Sequence, residues 1–303
     1  MRDGAGLPRH VPRGARPALD ELLGLRRYGA AMRRVLALDA ERREARRAPA
    51  ARSQGMDYAE SRPYSPGDDV RRIDWRVTAR TGRAHTKLFR LEPGNDLYCL
   101  VDQRAPMRFG TRAAFKSVVA AELAALAGWA AAAGGDRFGA CIDGARGPAI
   151  PLGAADGSVR ALCAALADAV PGAEAPLDAL AARAAMEAAR GTRFLLISDF
   201  ADPESVLERA VRALRARGEL LLAWVLDPME EHLPPPARYP LTDGREHLVL
   251  DTAPASVRAA HARDLAARRR CLARLAAQPG TRAHALRAGE DVFAALGRPL
   301  PAA

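Results

Sequence analysis

Three short apolar runs, each closing on an aspartate, constrain the fold of this chain more than any other feature. They are Asp96-Leu-Tyr-Cys-Leu-Val-Asp102, Arg193-Phe-Leu-Leu-Ile-Ser-Asp199 and Leu220–Leu226 followed by Asp227. Each is too short for a buried helix and lacks the alternation of a half-solvated strand, so each reads as a strand covered on both faces. Helical patterns separate them: about Thr111 to Ala133, closed by Gly134-Gly135, then Ser158–Ala169, Leu177–Arg190, and Glu204–Arg217 with Gly218 as its terminator. Strands alternating with helices specify an α/β fold with a mainly parallel sheet flanked by helices. Phe138–Ile142 reads as a further strand, with Ala149–Leu152 as its hairpin partner at an edge. Beyond the stiff Pro234-Pro235-Pro236 connector, Tyr239–Asp251 reads as a two-stranded ribbon turned at Asp243-Gly244. A long Arg-rich helix over Pro254 to about Gln278, a short strand near Thr281–Leu286 and a short helix at Asp291–Leu296 complete the chain.

Ahead of these elements, residues 1 to about 16 are rich in Gly, Pro and Arg and read as disordered. Ala18 to about Ala48 carries apolar residues at helical spacing among many arginines, as one helix or two. The expected division is a basic N-terminal tail and helix over 1–50, a polar and aromatic segment over 51–95, and the α/β domain with its C-terminal helix over 96–303.

The 303 residues carry a formal net charge of +10, almost all of the cationic side chains being Arg. Such a balance suits an acidic partner: nucleic acid, an anionic membrane or an acidic protein surface. The four cysteines, Cys99, Cys141, Cys163 and Cys271, are scattered through apolar stretches without metal-ligand spacing, and read as buried free thiols of a reducing compartment. The first residues lack an apolar signal core, and the most apolar stretch, Ala113–Ala133, is interrupted by Lys116 and Glu122, so it reads as a buried helix and the protein as cytoplasmic. Phosphate-binding Gly loops, His-Glu-x-x-His and Gly-x-Ser-x-Gly are missing. No catalytic residue, metal ligand or cofactor is assigned on these grounds.

The densest polar and aromatic stretch is Gly55–Arg90. Arg62, Tyr64, Asp68, Asp69, Arg71, Arg72, Asp74, Trp75 and Arg80 lie there at short, regular offsets. Tyr64-Ser-Pro-Gly67 reads as a turn, and Arg71–Trp75 as a short extended ribbon. Arg with carboxylates and aromatic rings builds either a structural network or an interface hot spot. The run Arg62-x-Tyr64-x-x-Gly67-Asp68-Asp69-x-Arg71-x-Ile73-Asp74-Trp75-x-x-Thr78-Ala79-Arg80 resembles the signature of the DUF58 family at every position. That resemblance implies a von Willebrand factor A-like, Rossmann-like α/β domain behind the signature segment, and association with a MoxR-type AAA+ ATPase. In A-type domains the first strand ends in Asp-x-Ser-x-Ser, whose oxygens hold a divalent cation together with a Thr and an Asp from later loops. The equivalent here is Asp102-Gln-Arg104-Ala-Pro106, with Asp199 matching the later Asp. Arg104 and Pro106 replace both hydroxyls, so the site is expected to be degenerate, with the Arg104 guanidinium where the metal would sit, bridging Asp102 and Asp199 as an internal counter-ion. The reading is a non-enzymatic interaction module partnering the ATPase. The alternatives are a nucleic-acid binder through Arg-rich surfaces and a metal-dependent hydrolase using Asp102 and Asp199.

Overall fold

Strands buried on both faces need a helical layer on each side, and the computed structural model has that arrangement. It describes residues 7–36, 57–63, 75–90, 96–143, 149–168, 175–242, 247–298 and 300. By internal contacts the chain forms two units: residues 39–94 are one, and the flanking segments, up to Leu38 and from Asn95 onward, together make the other. The larger unit thus takes in the N-terminal helices that the sequence reading set apart.

In the smaller unit, β1 (Asp57–Pro63) pairs antiparallel with β2 (His85–Arg90), and α3 (Trp75–Thr81) lies between them in sequence. The expected extended ribbon ending at Trp75 is corrected there: Trp75 opens a helix. The Tyr64–Gly67 turn and residues 71–74 lie outside the described residues.

The larger unit opens with α1 (Leu19–Gly24) and α2 (Gly29–Val35), joined by a 3-10 turn over Leu25–Tyr28. One six-stranded sheet follows, from β3 (Leu97–Asp102), β4 (Arg137–Asp143), β5 (Ala149–Ala154), β6 (Arg193–Ser198), β7 (Leu220–Leu226) and β10 (Thr281–Arg287). Its spatial order is β10-β7-β6-β3-β4-β5, parallel except for the β4–β5 hairpin. Counted along the chain this is order 3-2-1-4-5-6, the doubly wound arrangement that reverses direction beside its first strand. The helices are α4 (Lys116–Gly134), α5 (Ala155–Ala167), α6 (Leu177–Glu187), α7 (Glu204–Arg215), α8 (Pro228–Glu231), α9 (Ala255–Ala276) and α10 (Val292–Leu296). The ribbon β8 (Arg238–Thr242) and β9 (His247–Asp251) forms a separate antiparallel pair; its turn residues, Asp243-Gly244 included, lie outside the described residues.

Strand alternation divides the core in two. Leu97, Cys99 and Val101 of β3, with Leu195 and Ile197 of β6, pack on the side of α1, α2, α4, α5 and α10. Tyr98 and Leu100, with Phe194 and Leu196, pack on the side of α6, α7 and α9. All four cysteines are free and buried, and burial pushes the Cys163 thiol up to about 12. The central helix α4 is buried along nearly its whole length. Among the described residues it alone is long and apolar enough to cross a membrane, and it is the core helix of this unit.

The expectation of disorder to residue 16 is corrected for the described part of that segment. Gly14 exchanges backbone hydrogen bonds with Ala113 (2.9 Å) and Phe115 (3.0 Å), and the His10 carbonyl accepts from Val292 N–H at 2.9 Å. The His10 ring pairs with Glu122, the one carboxylate in the middle of α4. A buried carboxylate there needs a partner, and the polar N-terminal segment supplies it.

Gly135 closes α4 in the left-handed conformation expected of a helix-ending glycine (φ 68°). Gly218 works differently: it has no positive φ, and a Cβ there would lie 1.9 Å from the Thr192 carbonyl oxygen. Its requirement is close approach of two backbones. Gly218→Ala is therefore expected to destabilise the protein by about 3 kcal/mol, the upper end for an overpacked site, whereas Gly157→Ala, on an open helix surface, should stabilise slightly. Urea unfolding of both variants checks the contrast.

Candidate functional site

The sheet reverses order between β3 and β6, and the carboxyl ends of those two strands form the crevice where doubly wound folds place ligands. Asp102 ends β3, Ser198 ends β6, and Asp199 is the next residue. Val101 is in register with Ile197, so Asp102 stands beside Ser198. Alternation then sends Asp102 and Ser198 to the α6–α7–α9 face and Asp199 to the α4 face. Two separate charge clusters result, one on each face.

On the first face Arg104 grips Asp102 through its own backbone N–H (3.0 Å), Nε (3.0 Å) and Nη2 (2.8 Å). The same guanidinium reaches Asp202, with Nη1 to Oδ1 at 2.8 Å and Nη2 to Oδ2 at 2.5 Å. Ser198 Oγ donates to Asp102 Oδ2 at 2.7 Å and accepts from Phe200 N–H at 3.0 Å. Pro106 sits in the first turn of the 3-10 helix Ala105–Met107, where its missing N–H costs nothing and its fixed φ turns the chain after Arg104. Burial alone would lower the Arg104 pKa, but the hydrogen bonds and charges of Asp202 and Asp102 outweigh it and raise it well above the ordinary value. The guanidinium is a permanent charge.

The second cluster is built on Lys116, the first residue of α4, which is only 1 % exposed. Its ammonium donates to Asp199 Oδ2 (2.7 Å) and Glu230 Oε1 (2.6 Å). The other oxygen of Glu230 accepts from Asp227 N–H at 2.9 Å, and Asp227 Oδ1 accepts from Met229 N–H at 2.9 Å, a capping box that starts α8. Asp227 also binds Thr111 through its N–H (2.9 Å) and hydroxyl (2.7 Å). Between the clusters Phe200 holds φ 50°, uncommon for an aromatic side chain, and is buried. That kink brings the chain round so that Asp202 reaches Arg104.

This geometry corrects the expected bridge from Asp102 to Asp199. Arg104 does pair with Asp102, but its second carboxylate is Asp202, because Asp199 projects from the opposite face and is held by Lys116. Sequence reasoning missed Asp202, Lys116, Ser198 as a ligand of Asp102, and the Thr111–Asp227–Glu230 chain. The one available signal was Lys116 itself, a cation at the start of a long apolar helix. Both oxygens of Asp102 are occupied by a guanidinium and a hydroxyl, a donor set unlike that of a divalent cation. Among the described residues no three His, Cys, Asp or Glu side chains converge as metal ligands.

The signature residues are placed less fully. Arg62 lies in β1, Trp75 opens α3 at 70 % exposure, and Arg80 is exposed in the last turn of that helix. Tyr64, Asp68, Asp69, Arg71, Arg72 and Asp74 lie outside the described residues.

Behind the second cluster, Glu231 ties three elements together: Arg287 of β10 (Nη2 to Oε1, 2.9 Å), Arg269 of α9 (2.5 Å) and its own helix α8. Burial raises the Glu231 pKa, but the Arg287 hydrogen bond and the two arginine charges more than reverse this and hold it below the ordinary value.

Two outcomes are expected. Arg104→Ala leaves Asp102 and Asp202 without their cation and should cost ~3–5 kcal/mol in denaturant unfolding, as for a broken buried pair. A group with a depressed folded-state pKa stabilises above its unfolded pKa and loses that contribution as pH falls. Glu231→Gln should accordingly lower stability at pH 7 and flatten its fall below about pH 4.3, measured as thermal midpoint against pH.

The matches to known proteins bear on the same region. The family model "Protein of unknown function DUF58" matches residues 60–271, spanning the signature and most of the sheet. Uncharacterized protein Rv1480 of Mycobacterium tuberculosis (strain H37Rv) and uncharacterized protein Mb1516 of Mycobacterium bovis are each 33% identical over 250 residues, covering 80% of this chain and 78% of theirs. Among solved structures, the von Willebrand factor type A protein from Catenulispora acidiphila aligns with a TM-score of 0.31 and 16% identity, over 47% of this chain and 34% of that one. On the extent of the family match and the identity to these relatives, the chain belongs to the DUF58 family.

Proposed function

We propose that this protein is a non-enzymatic protein-interaction module of the cytoplasm, an adaptor for a MoxR-type AAA+ ATPase. Its strand-end crevice is a degenerate metal-ion-dependent adhesion site. The observation that carries this reading is the Arg104 guanidinium, which holds both oxygens of Asp102 at the switch point. An aspartate saturated by a permanent internal cation has no lone pairs aimed at a metal and is poorly placed as nucleophile or base. On this reading the site has exchanged a removable cation for a built-in one, and recognition does not wait on metal.

The exposed Trp75 at the start of α3 supports an interaction role for the signature segment. A large aromatic side chain in water contributes little to folding but is the kind of anchor that dominates protein interfaces. The nucleic-acid alternative draws on the Arg surplus, yet many of those arginines are already spent on intramolecular carboxylates: Arg33 on Asp136, Arg104 on Asp102 and Asp202, Arg137 on Asp96, and Arg287 on Glu231. Pairing occupies those guanidinium groups, so fewer of them are available to contact phosphates, while the net charge stays at +10.

Two measurements test the proposal. Calorimetric titration with Mg²⁺ or Mn²⁺ should show no binding at micromolar concentrations; binding that vanishes in Asp102→Ala would overturn the degenerate-site reading. Trp75→Ala should leave the unfolding free energy within about 0.5 kcal/mol of the parent, as for surface substitutions generally. The same change should weaken binding to the purified ATPase at least ~30-fold, as for a hot-spot aromatic. Loss of folding together with binding would instead make Trp75 a brace.

A further inference from the structure

Between β7 and the last turns of α9 the chain runs along the margin of the core, with Leu265 partly buried against it. Of the described side chains from 232 to 270, Thr252 alone is buried. The β8–β9 ribbon in this excursion is a sheet of only two strands. Leu248 is 66 % exposed and Val249 56 %. As neighbours on a strand they point to opposite faces, so each face of the ribbon carries an exposed apolar side chain at β9. A two-stranded ribbon without a packed face is marginal by itself.

The hydrogen-bond phase of the ribbon shows which edge is open. Thr252 N–H donates to the Ala237 carbonyl at 3.0 Å, so residue 252 turns its backbone groups toward the β8 strand. Along an antiparallel strand this alternates. Leu250 and Leu248 therefore face β8, while Asp251, Val249 and His247 aim their N–H and C=O groups outward. On the other strand Pro240 lies opposite Val249, at an outward position. It has no N–H, and it blocks that edge as prolines on edge strands do. The β9 edge has no such guard: its residues are His-Leu-Val-Leu-Asp, without Pro, Lys or Arg.

That strand is complementary to itself. Outward residues must pair with outward residues, and the antiparallel register with full overlap is centred on Val249. It places Val249 against Val249 of a second copy, Leu248 against Leu250, and His247 against Asp251. The His247 ring then meets the Asp251 carboxylate at both ends, a hydrogen-bonding pair, and apolar side chains meet between them. A two-fold axis through residue 249 closes the contact, as an isologous interface requires. We propose that the β9 edge is a homodimerisation site, joining two ribbons into one four-stranded antiparallel sheet. A contact of five residues per strand buries less than the ~800 Å² per partner of a standard interface, so the dimer is reversible and concentration-dependent.

Sedimentation velocity of the full chain from ~1 to ~100 µM, the range for a small transient interface, should show a monomer–dimer equilibrium. Val249→Lys puts like charges on the axis and should raise the dissociation constant at least ~10-fold. His247→Glu should raise it about fivefold by facing Asp251, and adding Asp251→Lys should restore it. Val249 and His247 are exposed and Asp251 is partly so, and unchanged circular dichroism spectra confirm that each variant folds. Val249→Cys should form a disulfide-linked dimer faster than Met186→Cys, a control at 76 % exposure on α6. A monomer throughout the range overturns the proposal. So does a dimer that neither Val249→Lys nor His247→Glu weakens.

Discussion

Compensation of buried carboxylates at the carboxyl edge of the sheet is the constraint on which the rest of this structure depends. Asp102, Asp199 and Asp227 all end apolar strands and are all nearly inaccessible to water. An ionised carboxylate in that setting persists only with hydrogen bonds and a counter-charge. Arg104 and Ser198 supply these to Asp102, Lys116 to Asp199, and Thr111 with the start of α8 to Asp227. Each solution draws on a different loop. The loops after β3, β6 and β7 are held by these hydrogen bonds and ion pairs, with two cations, Arg104 and Lys116, set among the carboxylates of the crevice.

Much of the fold was legible because its signals are local. Apolar runs bounded by Asp or Gly identify strands wherever both faces are covered, and β3, β6 and β7 lie where those runs lie. The hairpin of β4 with β5, the β8–β9 ribbon and the long α9 were likewise marked by short-range patterns. The partners within the site were not legible. Asp199 and Asp202 are three residues apart and equally acidic, and which of them meets Arg104 depends on strand parity and on the left-handed turn at Phe200. A lone lysine in an Ala-rich helix carries no sign of what it will face. The N-terminal segment has the composition of a tail, and the contacts that order it lie more than a hundred residues away. For the signature, the resemblance of the motif to its family was plain, whereas the bracing or recognitive role of its charges depends on geometry.

The two faces of the sheet edge have different characters. On the α6–α7–α9 face the Arg104 cluster involves residues on the first and fourth strands of the doubly wound order and the loops that follow them. On the α4 face Lys116 and Glu230 link the central helix to α8, from which the chain departs into the ribbon and α9. The base of that excursion is thus fastened by Lys116–Glu230 and by the Arg269–Glu231–Arg287 group, while its outer part carries the exposed apolar side chains Leu248 and Val249. A firm base with an open edge is a suitable mounting for a contact surface.

The docking of residues 7–16 has a consequence for how the molecule reaches its native state. The backbone of His10 is held by Asp291 and Val292, some 281 residues further along, and its ring contacts the Glu122 carboxylate inside the central helix. During synthesis the first part of the chain emerges well before its anchors exist. Until α10 is made, Glu122 lies in an otherwise apolar helix without its fixed companion. Closing a contact of such sequence separation is entropically slow. The contacts of His10 with Asp291 and Val292 can therefore form only once α10 is present.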